Sequence, residues 1–153
     1  RFTIYDEDGQ EIIRMVATFV LMDRDSRKVH PVEPEIVAPY QSEFSKKLIR
    51  GPKYAELEEA ISKDYHVRFY DLDMNGHVNN SKYLDWIFEV MGADFLTNHI
   101  PKKINLKYVK EVRPGGMITS SYELNGPESN HQVTSDGDIN AQAKITWQEI
   151  NKD

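Results

Sequence analysis

The sequence contains no cysteine. Disulfides, a thiolate nucleophile and cysteine-held metals are therefore excluded. Long apolar runs are missing too. The longest, Met15 to Met22, is interrupted by Thr18 and falls far short of the roughly 20 residues that a membrane helix needs. Positive charge is in deficit: 19 Lys and Arg stand against 25 Asp and Glu, giving a net charge of −6. The basic pairs Lys46-Lys47 and Lys102-Lys103 are short, so they read as solvated surface and not as a nucleic-acid patch. No secretory signal pattern is present, and a cytoplasmic location is expected. His30, His66, His77, His99 and His131 form no zinc-type pair. A Gly-rich phosphate loop and a Gly-x-Ser-x-Gly elbow are both lacking. Neither a metal nor a cofactor is expected.

What is there is ordinary for a globular chain: 153 residues, 39% hydrophobic and 29% charged. That length suits one domain, or one domain plus part of another. Residues 1 to 24 read as a β-hairpin. Arg1 to Tyr5 is a short strand, Asp6-Glu7-Asp8-Gly9 a turn, and Glu11 to Met22 a longer strand with two mostly apolar faces. A strand apolar on both faces should be buried or central. A second turn follows at Asp23-Arg24-Asp25-Ser26. The chain opens inside a strand, so a piece of something longer is expected. This hairpin should pair with a missing N-terminal segment or with another copy of the chain. Prolines at 31, 34, 39 and 52 mark a connecting stretch. Within it, Glu33 to Pro39 and Lys53 to Ile61 are candidate helical turns.

From Asp64 the pattern changes. Tyr65 to Tyr70 reads as a strand, Asp71 to Asn80 as a polar loop and Ser81 to Asn98 as a helix. Leu84, Ile87, Phe88, Met91 and Phe95 supply its apolar stripe. Gly92 sits inside this helix and Pro101 should stop any continuation. Ile104 to Val112, Met117 to Leu124, Gln132 to Ser135 and Ile139 to Ile150 then read as antiparallel strands. One amphipathic helix against such a sheet belongs to the α+β class.

One segment carries candidate chemistry: residues 70 to 83, Tyr-Asp-Leu-Asp-Met-Asn-Gly-His-Val-Asn-Asn-Ser-Lys-Tyr. In extended backbone the i, i+2, i+4 spacing of Asp73, Asn75 and His77 points all three to one side. They lie just before a helix start, where free N–H groups and the helix dipole favour negative charge. A carboxylate, an amide and an imidazole there are suitable parts for acyl transfer. Each also has a plainer reading, as a turn former, a helix cap or a surface histidine.

This stretch resembles the active-site loop of hot-dog thioesterases, and most of all the acyl-acyl carrier protein thioesterases of plants and bacteria. The resemblance implies an α+β hot-dog fold, an antiparallel sheet wrapped around one long helix. It implies tandem units: residues 1–40 would be the closing strands of a first unit, 41–63 a linker and 64–153 the catalytic unit. By the same resemblance Asp73, Asn75 and His77 are catalytic, with Glu111 of Tyr108-Val109-Lys110-Glu111-Val112-Arg113 as the fourth catalytic group. Plant members often carry a cysteine after that glutamate, where this chain has Val112. The expected partner is acyl carrier protein bearing a fatty acyl thioester. Val78 and Asn79 would meet the thioester carbonyl, and Tyr83, Ile87 and Met91 the acyl chain. An acyl-CoA thioesterase, a dehydratase or a non-catalytic acyl-binding module of the same fold are the alternatives.

Overall fold

The computed structural model describes residues 1–23, 25–26, 28–40 and 51–150. Lys46-Lys47, Arg24 of the expected second turn and residues 41–50 of the expected linker lie outside them. The chain divides into two units, Arg1–Leu48 and Ile49–Asp153.

In the first unit, β1 (Phe2–Tyr5) pairs antiparallel with β2 (Glu11–Met15). The Asp6 carboxylate accepts the N–H groups of Asp8 and Gln10, and Gly9 takes φ +78°. The expected strand to Met22 does not run through. It ends at Met15 and resumes only as β3 (Leu21–Met22), which pairs with β4 (Val29–His30). Nor is it buried: Val16, Phe19 and Val20 are exposed. A strand apolar on both faces needs a layer on each side, and this hairpin has none among the described residues of its own unit. Prolines at 34 and 39 then open a short helix, α1 (Pro34–Val37), and a 3-10 turn, Ala38–Tyr40.

The second unit is a five-stranded antiparallel sheet in the order β5-β7-β8-β9-β6. The strands are β5 (Ile61–His66), β6 (His99–Tyr108), β7 (Met117–Asn125), β8 (Glu128–Ser135) and β9 (Asp138–Glu149). Strand β5 thus begins at Ile61, where a helical turn was expected, and ends at His66, short of the expected Tyr70. Pro101 stands inside β6, at a register shift between Pro101 and Lys103. A bulge tolerates a residue that has no N–H to give the ladder. Asp136 and Gly137, both at positive φ, make the tight turn between β8 and β9.

The sheet alternates over most of its length. Ile118, Val133, Ala143, Ile145 and Trp147 face inward and are buried, while Ser121, Gln132, Gln142 and Lys144 face outward. On the inner face lies α2 (Asn80–Glu89), packed through Tyr83, Trp86 and Ile87. This is the α+β hot-dog arrangement. Two details differ from expectation. The single helix is broken: the chain turns at Gly92, with φ +83° and ψ 156°, and restarts as α3 (Ala93–Asn98). That conformation is open essentially to glycine alone. The buried stripe also runs through Tyr83 and Trp86 beside Ile87, while Leu84 is only half-buried. Large aromatic surfaces gain more by burial than one leucine, and they set the helix rotation.

Candidate active site

The loop from Asp71 to Asn79 is closed at its neck. Asn79 donates its N–H to the Asp71 carbonyl at 2.8 Å, Asp73 donates to the His77 carbonyl at 2.7 Å, and Leu72 and Val78 bridge between them. Asp71 is the anchor. Its fully buried carboxylate takes the Arg68 backbone N–H at 2.7 Å and the Arg68 guanidinium at 3.1 and 3.3 Å. Burial alone would raise its pKa. The hydrogen bonds and charge of Arg68 outweigh that and hold the carboxyl below its ordinary range.

Inside the neck, Asp73 Oδ1 accepts the N–H of Asn75 at 2.8 Å and of His77 at 3.0 Å. The Asn75 amide reaches Asp73 Oδ2 at 3.5 Å. Gly76, at φ +77°, completes the turn. The backbone here is a turn and not the extended run that the i, i+2, i+4 spacing had implied. The backbone N–H groups of Asn75 and His77 and the Asn75 amide are gathered on the one Asp73 carboxylate. The His77 N–H, and then burial opposing it, are the largest influences on Asp73, whose pKa is lowered.

The His77 ring faces elsewhere. Its Nδ1 lies 3.0 Å from Glu111 Oε1, with both side chains nearly half-exposed. Glu111 comes from the segment between β6 and β7, so two distant pieces of sequence meet here. That contact engages Nδ1 and leaves Nε2 as the other ring nitrogen.

The remaining expected residues fall into two groups. Asn79 is the N-cap of α2, its Oδ1 accepting the Ser81 N–H at 3.0 Å. Val78, Tyr83, Ile87 and Met91 are buried in the core against the sheet. Among the described residues, that helix face packs on the protein's own sheet. Tyr83 does something else, since its hydroxyl accepts the Val112 N–H at 3.1 Å, next to Glu111. Burial pushes that hydroxyl's pKa up and keeps it protonated. Tyr108 donates its hydroxyl to the Asn80 carbonyl at 3.0 Å, tying the end of β6 to the start of α2. The N–H of Asn79, expected to meet a thioester oxygen, is already committed within the loop, as is that of His77. Arg68, Tyr108 and Asn140 are supports that sequence reasoning missed. Arg68 lies three residues before Asp71, a spacing that could have flagged it.

Residues 54–149 match the sequence family described as the acyl-ACP thioesterase C-terminal domain, and residues 1–40 match its N-terminal domain. The chain is 28% identical over 141 residues to oleoyl-acyl carrier protein thioesterase 2, chloroplastic, of Arabidopsis thaliana, covering 83% of this chain and 37% of that protein. It is 25% identical over 146 residues to the palmitoyl-acyl carrier protein thioesterase of Gossypium hirsutum, covering 89% and 35%. The chain therefore spans little more than a third of these relatives' length. A structure from Lactobacillus plantarum assigned as an oleoyl thioesterase superposes with TM-score 0.83 at 30% identity, over 98% of this chain and 62% of that one. The 12:0-ACP thioesterase of Umbellularia californica superposes with TM-score 0.73 at 22% identity, over 84% and 53%, a likeness of fold.

Proposed function

Because this chain belongs to the acyl-ACP thioesterase family, we propose that it carries the catalytic unit of an enzyme hydrolysing fatty acyl thioesters of acyl carrier protein. The observation that carries this reading is the His77–Glu111 contact at 3.0 Å beside the Asp73 loop and the start of α2.

In this reading Glu111 holds the His77 ring through Nδ1, and Nε2 takes the proton of an attacking water. Such general-base help is worth roughly 10²–10⁴-fold in rate. Asp73 keeps Asn75 and the loop backbone in place and presents its own negative charge near the reacting carbon. The thioester oxygen would be received at the positive end of α2, beginning with the Asn80 N–H. The products are a free fatty acid and the carrier protein thiol. An unperturbed thiol has a pKa of about 8.5, so it needs little protonation to leave. With the inner face of α2 packed on the sheet, the acyl chain is assigned to a surface outside this core. The exposed apolar hairpin of the first unit awaits a further segment or a second copy in the same reading.

The test is turnover of long-chain acyl-carrier-protein and acyl-CoA thioesters by the wild type and by His77→Ala. The reading expects preference for the carrier-protein substrate and loss of turnover in the variant. Equal turnover by both proteins would remove this loop from the chemistry.

A further inference from the structure

The alternation of β9 fails at one place. Val133 faces Ala141 while its neighbour Thr134 faces Ile139, so Asn140 is an extra residue without an opposite number on β8. Such a bulge bends the strand and re-aims side chains. Its effect is visible in burial: Asn140 and Ala141, adjacent in sequence, are 1% and 0% exposed, while Ile139 is 38% exposed. A polar amide has been turned inward at the cost of an isoleucine turned outward.

The buried amide has a definite target. Asn140 Nδ2 donates to the carbonyl oxygens of Lys110 at 3.3 Å and Glu111 at 3.4 Å. The Asn140 carbonyl accepts the N–H groups of Val109 at 2.8 Å and Lys110 at 3.2 Å. Two carbonyls can be met only by the NH₂ end of the amide, so chemistry fixes its orientation. Asn140 Oδ1 is then left buried with no hydrogen-bond partner among the described residues. Buried polar atoms are normally paired, and an exception calls for a reason. Here one residue grips residues 109, 110 and 111 together, and the following N–H, of Val112, is held by Tyr83.

We propose that Asn140 is a positioning residue: it fixes the backbone of Glu111 so that its carboxylate meets Nδ1 of His77. Asn140 touches neither substrate nor reacting atoms and acts through Glu111. The inference rests on the reading of His77 as the base and Glu111 as the acid that orients it.

The experiment uses the full 153-residue chain and three variants of Asn140. Asn140→Asp keeps the shape but sets an oxygen against two carbonyls. Asn140→Ala removes the amide. Asn140→Ser, small and able to donate one bond, is the mildest. Ser120→Ala is the control. Ser120 is equally buried and donates to the Trp86 carbonyl at 3.0 Å, on a different part of the sheet. Nitrogen-15 NMR of the His77 ring reports which nitrogen carries the proton, without any need for turnover. The wild type should hold the neutral ring as the Nδ1–H form. The Asn140 variants should shift it toward Nε2–H and lower kcat on the order of 10²-fold, with KM nearly unchanged. Ser120→Ala should lose stability and change neither readout. Folded Asn140 variants with the wild-type ring signature and kcat would overturn the inference. Full turnover by His77→Ala would instead overturn the reading of the site, leaving the ring measurement on Asn140 variants to stand by itself.

Discussion

Asp73 accepts the backbone N–H of His77 at 3.0 Å, while the His77 ring turns to Glu111. The nearer carboxylate in sequence thus builds the loop, and the farther one orients the imidazole. Substitutions at the two acids should therefore behave differently.

His77→Ala and Glu111→Gln should lower kcat on the order of 10²–10⁴-fold with little change in melting temperature, since both side chains are substantially exposed. Asp73→Ala should lose activity and order in the loop, because two N–H groups lose their acceptor. Asp73→Asn keeps an acceptor oxygen and should keep the loop. Its kcat then isolates the effect of the charge: wild-type turnover in Asp73→Asn would restrict Asp73 to a structural role.

Stability should fall between pH 6.5 and 4 because of a residue outside the site. His131 is buried, bonded through Nε2 to Ser129 Oγ at 2.7 Å, and burial lowers its pKa to about 4 from 6.5. In that window the unfolded chain binds the proton and the folded chain does not, so stability rises with pH. The contribution is fully present above pH 6.5 and lost as pH falls to about 4, an effect of about 3 kcal/mol. Asp71 and Asp73 have lowered pKa values, and their share is lost only at pH values below the ordinary carboxylate range. Urea melts at pH 7 and 4.5 should show the slope in the wild type and its disappearance in His131→Gln. An equal slope in both proteins would assign it to other groups.

Gly92→Ala should destabilise by about 1–3 kcal/mol. Among the described residues, nothing beyond its chain neighbours lies within 4 Å of where its Cβ would stand, so the cost is conformational. Thermal melts that match the wild type would contradict the break between α2 and α3.

Asn79→Ala should cost about 1 kcal/mol by removing the cap of α2, and Asn79→Asp should cost little because a carboxylate caps as well. Chemical denaturation distinguishes the two. A raised KM in Asn79→Asp, with stability kept, would add substrate contact to its capping role.

Much of the second unit was legible from residues 64 to 150. The turns at Asp136-Gly137 and Arg113-Gly116 carry their own chemistry, and β7 and β9 alternate with period two. The Asp73–His77 loop was legible as a cluster because its members are close in sequence. Less legible was everything set by tertiary packing. The rotation of α2 was decided by Tyr83 and Trp86 finding the sheet. The helix break at Gly92 was masked because Phe95, which continues the apolar stripe, packs against Trp147 from α3. In the first unit, apolar faces predicted burial, but burial needs a covering layer and not apolar residues alone. Asn140 was hidden for a related reason. Ile139, Ala141, Ala143, Ile145 and Trp147 keep a perfect period of two, which puts Asn140 on the outer face unless a bulge intervenes.

That bulge sets regularity against competence. A β9 paired as a uniform ladder would turn Asn140 outward, bury Ile139 and leave no unpaired amide oxygen inside. Engineering for heat resistance would favour that simpler strand, which gains apolar packing and loses a polar atom without a partner. The straightened protein would melt higher and leave Glu111 to wander from His77. Thermal screening alone would select against the very irregularity that holds the acid in place.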